Sequence, residues 1–173
     1  EVLRSRRPPV REMAETKTSQ GRCFLFTGGG TGGHVAPALA MAEELRRRHP
    51  QARFHYVGVA GKAESTMVPR AWKLKSDGGS DQIHFVPSQG FPGKSPRLLI
   101  FGMVLALGVL KAMRILLVHR PQLIVATGGY VSAPIVFAVA FLRKLKLVRP
   151  VVFIHEQNAS PGRMNLLGVR IAD

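Results

Sequence analysis

Residues 22–48 read RCFLFTGGGTGGHVAPALAMAEELRRR and decide the predicted fold. The apolar run at 22–27 predicts a buried parallel strand, because strands covered on both faces lack polar alternation. A glycine loop follows at 28–33, and residues 36–48 repeat apolar side chains at helical spacing until His49-Pro50 ends the helix. A strand, a glycine turn and a helix in this order indicate a parallel α/β fold.

The same order of elements recurs along the rest of the chain. Strands that alternate with helices form right-handed βαβ units. The sequence therefore predicts a Rossmann-like, doubly wound parallel sheet over residues 22–173, preceded by a disordered basic leader at 1–21. Further strands are predicted at 54–58, 82–87, 123–127 and 151–155, and further helices at 64–71, 98–119, 134–144 and from Pro161.

The charge distribution restricts the partners. The 173-residue chain has a formal charge of +15, and between residues 82 and 155 it contains no Asp or Glu. A field of one sign attracts nucleic acid, anionic lipid or a phosphorylated substrate; a basic surface that only aids solubility is the alternative. The cations alternate with aliphatic rather than stacking aromatic side chains, which disfavours nucleic acid. They are Lys94, Arg97, Lys111, Arg114, Arg120, Arg143, Lys144, Lys146 and Arg149.

Cysteine and histidine counts restrict the disulfide and metal chemistry. Cys23 is the only cysteine, so no internal disulfide forms, and we expect it to be a small buried hydrophobe of a reducing compartment. No Asp-x-Asp pair is present to hold a nucleotide-bound cation. The histidines are far apart in sequence, so no metal site is predicted. They stand at positions 34, 49, 55, 84, 119 and 155.

The loop TGGGTGGHVAP at 27–37 is the first candidate binding site. Its glycines let the backbone approach a ligand, and the free N–H groups of a helix start favour phosphate. Gly28, Gly30 and Gly33 match Gly-x-Gly-x-x-Gly, which leaves a dinucleotide-binding module as an alternative, although no acidic residue follows at the ribose-binding distance. No Gly-Lys-Ser/Thr is present, which excludes a P-loop.

His34 stands where this loop becomes a helix, at the carboxyl end of the first strand. Parallel sheets bind their ligands at that edge. An imidazole there can accept a proton from a sugar hydroxyl near neutral pH. The alternative is a histidine that only caps or packs against the loop.

Two later segments also follow strands. Residues 127–134, TGGYVSAP, place Gly128 and Gly129 before a helix that begins near Pro134, which suits a second phosphate group. Two tight turns without a ligand are the alternative. Residues 155–158, HEQN, put polar side chains after the last strand, where a sugar or an internal network would satisfy them. We expect Glu156 to brace neighbouring loops.

Residues 98–110 are uncharged and mostly aliphatic, with Arg97 before them and Lys111 after them. A helix of this length spans about 20 Å, which is less than a bilayer core. We therefore expect the helix at 98–119 to dock partly on the sheet and partly in a membrane interface, with its flanking cations against anionic lipid. A buried core helix and a transmembrane span are the alternatives.

The three polar segments together resemble the MurG family of glycosyltransferases. That family carries Gly-Gly-Thr-Gly-Gly-His, here Gly29 to His34, then Gly-Gly-Tyr-Val-Ser-x-Pro, here Gly128 to Pro134, and His-Glu-Gln-Asn, here His155 to Asn158. Glu64 followed by Val68-Pro69 matches as well. The resemblance runs from about Arg22 to the end of the chain.

The resemblance implies the N-terminal, acceptor-binding half of a GT-B fold, with no C-terminal domain here to hold most of UDP-N-acetylglucosamine. The implied inverting reaction transfers N-acetylglucosamine to the 4-hydroxyl of lipid-linked muramyl-pentapeptide without a cofactor or metal. His34 is the implied general base. The implied donor contacts are Thr31, Gly32, Gly33 and Asn158, and the implied contacts to the acceptor diphosphate are Gly29, Gly30, Gly128, Gly129, Tyr130 and Ser132.

The resemblance also implies a peripheral position on the cytoplasmic face of the plasma membrane. Ala133 departs from the family glycine, the loop at 76–81 looks longer than in the family, and the leader is extra. Without a donor domain the isolated chain is expected to have little or no transferase activity. A non-catalytic, membrane-recruiting subunit that needs a separate donor-binding chain is the alternative function.

Overall fold

A computed structural model describes residues 21–73, 81–93, 95–156 and 172. The predictions for the leader before residue 21, for most of the loop at 76–81, for Asn158 and for a helix from Pro161 lie outside these residues.

Strands and helices alternate along the described part of the chain, as predicted. The strands are β1 (Cys23–Thr27), β2 (Arg53–Gly58), β3 (Gln82–Phe85), β4 (Leu123–Ala126) and β5 (Val151–Ile154). The helices are α1 (Gly32–Arg48), α2 (Ala63–Trp72), α3 (Leu98–His119) and α4 (Ala133–Lys144), with a 3-10 turn at Tyr130–Ser132.

The first helix starts earlier than predicted. Its N-cap is Thr31, in extended conformation, and Gly32 and Gly33 form the first turn instead of belonging to the loop. The first N–H groups of a helix have no acceptor within it, so glycine loses little there. Two of the loop glycines therefore lie at the positive end of the α1 dipole.

The five strands form one parallel sheet in the order β3-β2-β1-β4-β5. The chain starts in the middle of the sheet, adds β2 and β3 on one side, and then returns to add β4 and β5 on the other. The prediction of a doubly wound parallel sheet is confirmed. The change of direction lies between β1 and β4, where such sheets bind ligands at the carboxyl edge.

Each face of the sheet has its own core. Phe24, Phe26 and Phe54 face α1 and α2 in a largely aromatic cluster, whereas Leu25 and Ile124 face α3 and α4 in an aliphatic one. Full burial of one such side chain stabilises the fold by about 1.5–3 kcal/mol. Alternate residues of β1 thus hold helices on opposite faces and fix the position of its carboxyl end.

The long helix α3 is packed at one end and exposed at the other. Ala112, Ile115 and Leu116 are buried against the sheet, whereas Leu99 and Met103 are exposed. Gly108, about one turn before Ala112, is also buried. A side chain at this position would collide with the carbonyl oxygen of Pro87. Among the described residues α3 is therefore covered only in part, as the sequence predicted.

Candidate active site

The first glycine turn, residues 28–30, follows β1 and lies between other parts of the backbone. A side chain on Gly28 would collide with Thr127, and one on Gly29 would collide with the carboxylate of Glu64. Gly30 adopts φ +85°, in the left-handed region, and lies beside the ring of Tyr130. Glycine is needed here because the chain passes too close to its neighbours for any Cβ.

The Glu64 side chain holds this turn by a hydrogen bond. It is fully buried in the first turn of α2, where the helix dipole favours a negative charge. Its Oε2 accepts the Gly30 N–H at 3.0 Å and its Oε1 accepts the Val59 N–H at 2.9 Å. The sequence singled out Glu64 through the family resemblance alone, and its role as a brace was missed.

Tyr56 is the second support. Its hydroxyl donates to the carbonyl oxygen of Gly28 at 2.8 Å. Burial, and next the charge of Glu64, hold the pKa of Tyr56 well above its usual range, so the phenol remains a hydrogen-bond donor. Glu156, the predicted brace, is half-buried after β5, and its bracing role stays a prediction.

The second glycine turn, residues 128–129, follows β4 and is held by neutral hydrogen bonds. The Ser132 hydroxyl donates to the Gly129 carbonyl and the Ser88 hydroxyl donates to the Tyr130 carbonyl, both at 2.8 Å. Ser132 is buried, so this bond to the turn occupies a hydroxyl that was predicted to contact a diphosphate. Pro134 lies in the first turn of α4, as predicted.

His34 joins the two turns. Its Nδ1 lies 2.9 Å from the carbonyl oxygen of Thr127, and the Thr127 hydroxyl donates to the His34 carbonyl at 2.6 Å. Because a carbonyl only accepts, Nδ1 carries the proton, and the basic lone pair of the neutral ring is on Nε2. Gly129 packs beside the His34 ring, with φ +76° and no room for a Cβ against the Gly29 carbonyl.

Most of the predicted site residues come together at this edge of the sheet. Gly29, Gly30, Gly128, Gly129 and Tyr130 surround the His34 junction. Thr31, Gly32 and Gly33 form the start of α1 next to it, and Thr31 and Gly33 are exposed. His155 also lies at this edge, because its N–H donates to the Ala126 carbonyl at 2.8 Å.

One donor of the first turn is already used. The Gly30 N–H is bound by Glu64, so an external anion would meet the N–H groups at the start of α1 instead. The His34 N–H donates to the Thr31 carbonyl at 3.3 Å, but the Gly32 and Gly33 N–H groups have no acceptor inside the helix, and the Thr31 side chain makes no capping hydrogen bond. The main-chain donors left at this turn are therefore those of Gly32 and Gly33, at a helix start four residues earlier than predicted.

The predicted separation of the histidines is wrong for three of them. His55 on β2, His84 on β3 and His119 at the end of α3 pack against one another, with ring centroids 4.2–5.2 Å apart. No local pattern predicts this contact, because it depends on β2 and β3 being neighbours and on where α3 ends.

An apolar surface covers the exposed side of two helices on the other face of the sheet. We call it the α3–α4 face and define it by Leu99, Met103, Leu110, Phe137 and Phe141, all exposed. A cavity of about 920 Å³ lies between the helices, with Lys144 at its margin. By length and composition alone α3 is apolar enough to cross a membrane, and 17% of its most apolar window is buried.

A parallel sheet with two interlocked glycine turns at its switch point defines a Rossmann-like half of a GT-B glycosyltransferase. His34, whose tautomer is fixed by its hydrogen bond to Thr127, lies at their junction. The chain belongs to the glycosyltransferase family 28 N-terminal domain family, whose sequence profile matches residues 24–173.

Relatives agree with this assignment. The chain is 40% identical over 149 residues to the UDP-N-acetylglucosamine–N-acetylmuramyl-(pentapeptide) pyrophosphoryl-undecaprenol N-acetylglucosamine transferase of Desulforudis audaxviator. That match covers 86% of this chain and 36% of the relative. The crystal structure of Acinetobacter baumannii MurG superposes with a TM-score of 0.65 at 26% identity, over 87% of this chain and 40% of that one. The calicheamicin glycosyltransferase CalG4 shares the fold alone, with a TM-score of 0.52 at 17% identity.

The family and its fold confirm the resemblance noted in the sequence. The chain spans little more than a third of the length of the Desulforudis relative.

Proposed function

We propose that this chain is the acceptor-binding half of an inverting N-acetylglucosamine transferase of peptidoglycan synthesis. The proposed donor is UDP-N-acetylglucosamine and the proposed acceptor is lipid-linked muramyl-pentapeptide, as in the name of the Desulforudis relative. The observation that carries the proposal is the hydrogen bond from His34 Nδ1 to the Thr127 carbonyl, between the two glycine turns.

The chemistry assigned to His34 follows from its tautomer. Nε2 accepts the proton of the muramyl 4-hydroxyl while the oxygen attacks the anomeric carbon and UDP leaves from the opposite side. The Thr127 carbonyl keeps the Nδ1 proton in place and stabilises the imidazolium that forms. A general base of this kind contributes roughly 10²–10⁴-fold to the rate.

The anionic groups of both substrates are assigned to main-chain donors. The diphosphate of the acceptor is assigned to the second glycine turn, residues 128–129, beside the α1 N-terminus, whose helix dipole favours negative charge. Thr31 and Gly33, exposed at the start of α1, are assigned to the donor side. Asn158 keeps its proposed donor contact, outside the described residues.

The α3–α4 face is assigned to the membrane that carries the acceptor, the cytoplasmic leaflet of the plasma membrane. Exposed apolar side chains such as Leu99 and Met103 would enter the interface, and Lys111 and Arg114 on the same helix would meet anionic headgroups. Each such cation contributes about 1 kcal/mol near an anionic surface. Binding at the surface requires no transmembrane span.

The test joins this chain to the donor-binding half of the Desulforudis relative and measures transfer from UDP-N-acetylglucosamine to lipid-linked muramyl-pentapeptide. His34→Gln is expected to lower kcat by roughly 10²–10⁴-fold with little change in acceptor binding. His49→Gln, which removes a histidine from the far end of α1, is the matched control. Equal kcat for His34→Gln and the parent would contradict the base assignment and favour the non-catalytic recruiting subunit.

A second measurement tests whether this chain binds the acceptor on its own but needs a donor-binding half for transfer. The isolated chain is expected to bind vesicles that contain the lipid acceptor, more tightly when the vesicles are anionic, and to show no transfer. Transfer by the isolated chain would contradict the need for a donor-binding half. Salt-dependent binding to oligonucleotides without vesicle binding would contradict the membrane assignment.

A further inference from the structure

The three clustered histidines lie away from the glycine turns. His55 is in the middle of β2, His84 is beside it on β3, and His119 ends α3 shortly before β4 starts. The cluster therefore lies on the β2–β3 side of the sheet, whereas the two turns meet between β1 and β4. The proposed transfer reaction gives these three side chains no role.

The nitrogens of the cluster are close enough to share an ion. One ring nitrogen from each histidine lies within 4.8 Å of the corresponding atoms of the other two. His55 Nδ1 is 3.0 Å from His84 Nε2, a contact that requires a proton or a metal ion between the two lone pairs. In a tetrahedral zinc site, ligand nitrogens are about 3.3 Å apart, from Zn–N bonds of about 2.0–2.1 Å. The rings need to move by no more than about 1.5 Å.

The buried member of the cluster is incompletely satisfied. His55 is 2% exposed, and its Nε2 has no hydrogen-bond partner among the described residues. A buried polar atom without a partner costs about 1–3 kcal/mol. Only coordination through Nε2 would remove this cost, because binding through Nδ1 leaves Nε2 without a partner.

Burial of the three rings disfavours their protonated form. Burial first, and then the neighbouring His119, lower the pKa of His55 to about 3, while burial and His119 lower that of His84 to about 4. Burial also lowers the pKa of His119. Each shift favours the neutral imidazole, which is the form that binds metal.

The charges around the cluster restrict which ligand could join the three histidines on an ion. A cavity of about 470 Å³ adjoins His84 and His119, and Lys111 and Arg114 line it. Arg53 lies close enough to act on His55 and His119. Three neutral ligands leave the double charge of the ion uncompensated, and these cations add to it. The fourth position must therefore hold an anion, which the same cations attract.

We propose that His55, His84 and His119 form a binding site for a divalent transition-metal ion, with Zn²⁺ as the expected occupant. Imidazole ligands suit Zn²⁺, and three protein ligands with one open position are the pattern of exchangeable zinc sites. Hydroxide or a small anion from the cavity completes the coordination. The ion would link β2, β3 and the end of α3, so that it also fastens the long helix to the sheet.

The test titrates Zn²⁺ into the full chain, without a polyhistidine tag and freed of metal by a chelator, in a calorimeter. One saturable site per chain is expected, and Zn²⁺ raises Tm because it binds the folded chain in preference. His84→Gln and His119→Gln are each expected to weaken binding by more than about 100-fold, beyond what loss of an outer partner costs. His49→Gln, with the cluster intact, keeps the parent affinity.

Both ligand variants remove partly exposed side chains, so each is expected to fold, which the metal-free Tm checks. Co²⁺ provides a second readout, since tetrahedral nitrogen coordination gives intense visible absorption that both variants should lose. Equal Zn²⁺ affinity in the parent and both ligand variants would overturn the proposal, as would the absence of saturable binding by the folded parent. Neither result depends on the transferase assignment.

Discussion

The two glycine turns have the same sequence pattern but different supports. The first depends on side chains from elsewhere in the fold, the buried carboxylate of Glu64 and the hydroxyl of Tyr56. The second is held by neutral hydroxyls, those of Ser132 and Ser88. A charged acceptor binds N–H groups more strongly than a neutral one. The first turn is therefore expected to be more rigid and more vulnerable to a single substitution.

Loss of the buried carboxylate is expected to have the largest effect. Glu64→Ala should lower the free energy of unfolding in urea by about 3 kcal/mol, because hydrogen bonds to a charged group contribute about 1.5–3 kcal/mol each and two donors lose their acceptor. Glu44→Gln is the control: its carboxylate pairs with Arg47 and Arg48 on the surface of α1, and no measurable change is expected. Similar stabilities for the two variants would refute the asymmetry between the turns.

A side chain between the turns comes next. Gly129→Ala should lower stability by about 2–3 kcal/mol, since left-handed strain of about 1–2 kcal/mol adds to a collision with the Gly29 carbonyl. Gly61→Ala has a similar φ, +73°, with open space around it, so it reports the cost of a positive φ without a collision. The difference between their unfolding free energies measures the cost of the collision between the two glycine turns. A difference of zero would mean that there is no such collision.

The neutral supports are expected to contribute least. Ser132→Ala should lower the unfolding free energy by about 1 kcal/mol, the usual net contribution of a neutral hydrogen bond. Ser88→Ala, at a half-buried position, should cost no more. A loss at either serine as large as that of Glu64→Ala would reverse the comparison and make the second turn the more dependent one.

The features that were predicted correctly have signals that lie close together in the sequence. The apolar run of β1, the glycines after it and the helical spacing of α1 lie within one short stretch, and all three were found. His34 was found because it stands at the junction of loop and helix, where topology alone places it at the carboxyl edge.

The missed features depend on distant parts of the chain. Glu64 reaches the first turn because β2 lies beside β1, and the histidine cluster forms because β3 lies beside β2; strand order carries both facts. The sequence predicted that the helix at 98–119 is only partly covered, but not which half, since a run of leucines has the same composition whether it is covered or bare. Gly32 and Gly33 were assigned to the loop because glycine is a poor helix former, although a first turn tolerates it.

The way α1 begins determines which substitutions would affect its first N–H groups. Thr31 ends the turn without a side-chain cap, so peptide groups rather than side chains form the surface offered to an anion. An alanine scan would detect this surface where it adds a methyl group to a glycine and hardly anywhere else. Exchange of single amide linkages for esters, which deletes one N–H and keeps every side chain, would reveal which positions bind.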